Sequence, residues 1–239
     1  MTGQHSLVQI PGAGTVHLDY RSHIMIETSL PDRGAAQRPP IQFYFDFSSP
    51  YSYIASEWVN AVAARHGRRV QWHAVMLGVL FQPAELKPPV EFPIKREYIL
   101  RDFERSARFA GLPYLQPETF PIATHNAARV FWWLNEEDPS RAVAWARAAL
   151  RAYFTRGVAL NDAAALKALA EQSGLDAQAA EAAWSDPKWK EALKAANAAA
   201  TAAGVFGAPF FIIDGEPFWG NDRQEQIVQW LSTGPFKGL

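Results

Sequence analysis

The stretch FYFDFSSPYSYIA, residues 43–55, brings Ser48, Ser49 and Pro50 to the point where an apolar run passes into a helical pattern. A hydroxyl placed there lies among first-turn N–H groups that have no intrahelical partner, at the positive end of the helix dipole, and can help to hold an anion. Pro50 suits the first turn because its missing N–H would have had no partner anyway. A plainer reading competes: Ser48 or Ser49 is an N-cap, a role Ser often fills. The tripeptide alone favours the cap. Ser52 reads as structural, and Asp46 as a buried or strand-end carboxylate rather than a base.

Two other groups of residues stand near the end of the chain. In GAPFF, residues 207–211, an Ala-Pro bond precedes an apolar strand; by itself this says little, since most X-Pro bonds are trans. In WGNDR, residues 219–223, Asn221 and Asp222 sit at a strand-to-helix turn, where the plain reading is a helix cap. Elsewhere, Arg96, Arg101, Arg105 and Arg108 interleave with Glu97, Asp102 and Glu104 at helical spacing, the pattern of a salt-bridged exposed face. His66, His73 and His125 share no spacing that suits a metal. Trp132, Trp133 and Trp145 read as core, with the lining of an aromatic pocket as the second reading.

The chain lacks cysteine altogether, which removes disulfides, thiolate metal sites, dithiol redox chemistry and cysteine nucleophiles in one step. Any sulfur chemistry must therefore come from a bound molecule. A net charge of −1 offers no basic face to nucleic acid. The longest apolar run, GVFGAPFFII, is cut by Gly and Pro and is too short to span a bilayer.

The elements that must position these residues follow from periodicity. Residues 1–40, rich in Gly, Pro, Ser and Thr, read as a flexible extension, with Met25 a candidate start and no secretory signal, so the protein is expected to be cytoplasmic. Residues 41–47 form a strand, a helix runs from Pro50 to a stop at Gly67, and RRVQWHAVML forms a second strand in which Val70, Trp72 and Ala74 alternate with Gln71 and His73. Residues 79–203 are helical in pattern, with breaks at Gly174 and Pro187. PFFIID, a Gly-Glu turn, PFWG and the helix DRQEQIVQWLSTG complete the chain. This order is that of an α/β, thioredoxin-like fold with an inserted all-helical domain: 41–78 and 204–239 form the thioredoxin-like part and 79–203 the insertion.

FDFSSPYSY together with VFGAPFFIIDGEPFWGNDR resembles the 2-hydroxychromene-2-carboxylate isomerases and the related kappa-class glutathione transferases, in the DsbA-like branch of the thioredoxin fold. The resemblance covers residues 41–239 and is strongest at the two end motifs. It implies that Ser49 is the catalytic Ser, standing where redox members carry Cys, and that it donates to a glutathione thiolate held at the helix N-terminus. It further implies that Pro209 is cis, that Ala208 pairs with the cysteinyl backbone of glutathione, and that Trp219, Gly220, Asn221 and Asp222 hold the tripeptide, Asp222 facing the γ-glutamyl ammonium. With both end motifs present, the balance at Ser49 passes from the cap to the site. In the loop GVLFQPAELKPPVEFPIKREY, which in the isomerases contacts the substrate carboxylate, Leu86 stands where relatives have Asn; Lys87 and Lys95 are the candidates to pair with that carboxylate, against the plain reading of solvated charges.

The function expected from the resemblance is glutathione-dependent cis-trans isomerisation of an aromatic carboxylate such as 2-hydroxychromene-2-carboxylate, by a homodimer. The rivals are a kappa-like glutathione transferase and a thioredoxin-fold binding protein or chaperone without turnover.

Overall fold

In the computed structural model, residues 38–83 and 85–236 are described. Most of the expected extension at residues 1–40, and the candidate start at Met25, lie outside them. Strand β1 (Ile41–Phe45), helix α1 (Pro50–Arg65) and strand β2 (Val70–Ala74) form the opening β-α-β unit. β1 stops two residues short of the expected Phe47 because the chain turns there, the Ser49 N–H donating to the Asp46 carbonyl at 3.0 Å. β2 likewise ends early, since Leu77 already starts a short helix α2 (Leu77–Leu80).

Six helices follow: α3 (Pro93–Phe109), α4 (His125–Glu137), α5 (Pro139–Arg156), α6 (Ala163–Gln172), α7 (Ala177–Ser185) and α8 (Pro187–Ala202). Their starts are local chemistry. Asp138, Asp162, Asp176 and Asp186 each accept first-turn N–H groups of the helix they cap, and Pro occupies the first helical position of α3, α5 and α8 as it does in α1. Strands β3 (Phe210–Ile213) and β4 (Glu216–Trp219), a 3-10 turn at Asn221–Arg223 and helix α9 (Gln224–Thr233) close the chain.

The sheet order is β2-β1-β3-β4, with β1 and β2 parallel and the other pairs antiparallel. Both faces are covered. Ile41, Phe43 and Phe45 look to one side, where Phe43 stacks on Phe211 at 5.2 Å and Phe45 meets Phe131 of α4 edge-on at 5.3 Å. Each such ring contributes about 1.5–3 kcal/mol by burial. Tyr44 and Phe210 look to the other side, against Ala200 of α8 and Val205. One buried cluster runs from Ile41 through Trp145 to Leu166, so the helices and the sheet share a core. Of the three tryptophans read as core, Trp145 is fully buried, while Trp132 and Trp133 are partly so.

Candidate active site

Ser49 sits at the N-cap of α1 and is 4% exposed. Its Oγ accepts the Ser52 N–H at 3.1 Å and donates to the Ala208 carbonyl at 3.1 Å. The capping role is therefore real, and the same oxygen reaches the second motif. Pro50 has no N–H and that of Ser52 is taken, so the Tyr51 N–H is the amide that this helix end leaves unpaired among the described residues.

Asp46 lies beneath this turn, 2% exposed, and accepts the Ser48 and Leu77 N–H groups at 2.6 Å each and the Thr124 hydroxyl at 3.3 Å. Burial holds its pKa above the ordinary carboxylate value, outweighing those hydrogen bonds, which lower it. Its work is to clasp the ends of β1, α2 and α4 around one point, in agreement with the reading of a buried carboxylate. Ser48 joins the same region by accepting the Ile122 N–H at 3.2 Å.

The Ala208–Pro209 peptide is cis, as the resemblance implies, and so is Phe120–Pro121, for which the sequence carries no signal. Gly207 must be glycine: a Cβ there would stand 2.4 Å from Trp219 Nε1. The GAPFF and WGNDR groups are thus packed against each other. Beyond β4, the Gly220 N–H donates to the Pro209 carbonyl at 3.0 Å, and Gly220 has φ 111°, outside the range that other residues adopt readily. Asn221 Oδ1 accepts the Trp58 Nε1–H of α1 at 2.8 Å. Asp222 is ion-paired with Arg223. Neither Asn221 nor Asp222 caps α9, which starts without a side-chain cap, so the plain reading of these two residues does not hold.

These groups stand on one cleft of about 880 Å³. Ser49, Ala208, Pro209, Trp219, Gly220, Asn221 and Asp222 all line it. Arg223, which the sequence reading passed over, lines it too. The lining also includes the apolar side chains of Phe81, Val90, Ile99, Phe103 and Phe120. Lys87 and Lys95 are exposed and outside the lining; Lys95 instead lies over the Phe92 ring at 5.2 Å. Lys87 stands in the loop before α3 and Lys95 in its first turn.

Asp102 needs a correction. The expected pairs Arg105–Asp102 and Arg108–Glu104 do form on α3. Yet Asp102 also accepts the Tyr51 hydroxyl and lines the cleft, so it is not merely part of an exposed charged face. Burial, and then the neighbouring Asp102, push the Tyr51 phenol far above its usual pKa. Although partial burial raises the Asp102 pKa, the Tyr51 and Arg105 hydrogen bonds bring it below the ordinary value. No cluster of His, Asp and Glu suited to a metal occurs among the described residues, and no described helix is long and apolar enough to cross a membrane.

The sequence model described as a DsbA-like thioredoxin domain matches residues 40–232. The chain belongs to the DsbA-like thioredoxin family. Among DsbA-like relatives, a 2-hydroxychromene-2-carboxylate isomerase from Pseudomonas putida is 30% identical over 189 residues, covering 77% of this chain and 89% of its own. A kappa 2 glutathione S-transferase from Caenorhabditis elegans is 24% identical, covering 84% and 95%. The solved structure of a 2-hydroxychromene-2-carboxylate isomerase superposes with a TM-score of 0.73 at 26% identity, covering 81% of this chain and 95% of that one. As a DsbA-like chain it has the expected thioredoxin-like α/β fold with a helical insertion.

Proposed function

We propose that this DsbA-like protein is a glutathione-dependent isomerase of an aromatic carboxylate, of the 2-hydroxychromene-2-carboxylate type. The observation that carries the reading is the 3.1 Å contact between Ser49 Oγ and the Ala208 carbonyl, which sets an anion-binding helix end against a cis-Pro loop on one cleft.

A tripeptide thiol fits what these residues offer. The Tyr51 N–H and the Ser49 hydroxyl, at the positive end of α1, favour a thiolate over a thiol and lower its pKa from about 8.5. Ser49 turns its proton from Ala208 to that sulfur. Ala208 is then free to pair through its backbone with the cysteinyl residue, in the manner of an added strand. The adjacent Asp222 carboxylate and Arg223 guanidinium match the ammonium and carboxylate of an α-amino acid end, as a γ-glutamyl group presents. When bound, glutathione supplies the nucleophilic sulfur that adds to the conjugated substrate, lets its double bond rotate, and departs unchanged. The apolar side chains of the lining hold the aromatic ring beside that sulfur and exclude water.

The kappa-like transferase remains the second reading, supported by the relative of that name. It keeps glutathione in the product, whereas the isomerase consumes none. The test is turnover of 2-hydroxychromene-2-carboxylate with a small amount of glutathione, following product and free thiol together. Many turnovers at constant thiol support the isomerase; falling thiol supports the transferase; no turnover and no glutathione binding leave the binding-protein reading. Cytoplasmic location, where glutathione is the abundant thiol, and homodimeric assembly belong to the same proposal; fractionation and light scattering check them.

A further inference from the structure

We infer that the part of the cleft where Tyr51 meets Asp102 receives the hydroxyl group of the substrate, which makes these two residues determinants of specificity and orientation. The inference rests on the aromatic-carboxylate reading above and deepens it.

The argument is the direction of the protons. The Tyr51 hydroxyl donates to Asp102 Oδ2, Arg105 Nη2 donates to Asp102 Oδ1, and the Ser106 hydroxyl lies 3.4 Å from Asp102 Oδ2. A phenol has one proton, and here it is spent on Asp102; the Tyr51 oxygen is left as an acceptor. Asp102, ionised, can only accept. Tyr51, Asp102 and Ser106 all line the cleft, so the Tyr51 and Asp102 oxygens offer lone pairs there, while Tyr98 beside them accepts from Arg105 at 3.2 Å and keeps its own proton.

Its surroundings make that polarity count. Phe103 packs edge-on against Tyr51 at 5.1 Å, and Phe103 in turn meets Phe120 at 5.6 Å. A ligand filling such a pocket displaces water from oxygens that then need a donor. A substrate hydroxyl brings one. A C–H, an ether, a carbonyl or a carboxylate has no such proton and leaves the oxygens unmet. The cluster therefore also sets orientation, with the hydroxyl end here and the carboxylate end elsewhere.

The test is calorimetric titration of trans-2-hydroxycinnamate and trans-cinnamate into wild type, Tyr51→Phe and Asp102→Asn, each with and without saturating glutathione. Wild type is expected to prefer the hydroxylated acid by about tenfold, the worth of one hydrogen bond to a charge-assisted pair. Both variants should reduce that preference to about twofold while cinnamate affinity stays within about twofold. A purely structural role would weaken both acids together. Equal affinity of the two acids for wild type, binding of neither, or an intact preference in both variants overturns the inference. Tyr51→Phe keeps the ring against Phe103, so a folded variant is available, and thermal melts verify it. Glutathione titration of the same samples reports separately on the proposed function, while the acids titrated without glutathione decide the hydroxyl reading by themselves.

Discussion

Trp58 Nε1 donates to Asn221 Oδ1 at 2.8 Å, so the middle of α1 fixes the turn that carries Asp222 and Arg223. The helix whose N-terminus is the proposed anion site thereby also holds the turn after β4. Trp58→Phe keeps the stack on Phe211, now 5.3 Å from Trp58, but loses that bond. Glutathione affinity should fall about fivefold with little change in melting temperature, as calorimetry and thermal melts will report.

Ser49→Ala removes both partners of one oxygen. The lost cap costs about 1 kcal/mol of stability. Turnover should fall about 10- to 150-fold, the worth of a hydrogen bond to an ion. Thiolate absorbance against pH provides the separate readout: the pKa of bound glutathione should be higher in Ser49→Ala than in wild type. An unchanged titration would leave the hydroxyl a cap and nothing more.

Gly220→Ala places a side chain at φ 111°, with its Cβ 2.4 Å from Asp222 Oδ1. The backbone strain costs about 1–3 kcal/mol. Urea midpoints should shift accordingly, and glutathione binding should weaken as Asp222 is displaced. The same change at Gly204, also of positive φ but with open space where a Cβ would be, should cost stability without touching the ligand.

His73 gives the fold a pH dependence. Burial depresses its pKa to about 4, in a strand where it stacks on Tyr44 and lies 2.7 Å from Gln42 Oε1. With the folded value below the unfolded one, the unfolded chain binds more protons between the two; stability is whole above about pH 6.5 and is lost as pH falls toward 4. The loss is about 3 kcal/mol. Denaturant titrations at pH 4.5 and 7.5 should show it in wild type, and His73→Gln should flatten the difference.

Much of this was legible in the sequence because it is local. A Ser before Pro at a helix start, alternation in Val70, Trp72 and Ala74, and the Pro187 break each depend on residues within one turn or strand. Other features were not. The i, i+3 spacing of Asp102 and Arg105 marks an ion pair correctly, but which side of α3 meets Tyr51 depends on how α1 and α3 pack. Charge and a place in the resembling segment singled out Lys87 and Lys95, and neither lines the cleft. Nothing near Phe120 marks its cis bond.

By itself, the amino-acid sequence determined the element order, the helix starts, the absence of any protein thiol and the two motifs at opposite ends of the chain. Only the tertiary structure decided that Ser49 touches Ala208 across 159 residues, that Trp58 holds Asn221, and that Tyr51 turns its one proton to Asp102. Propensities and caps act within a few residues, whereas the aim of a hydroxyl proton is set by the acceptor that folding brings beside it.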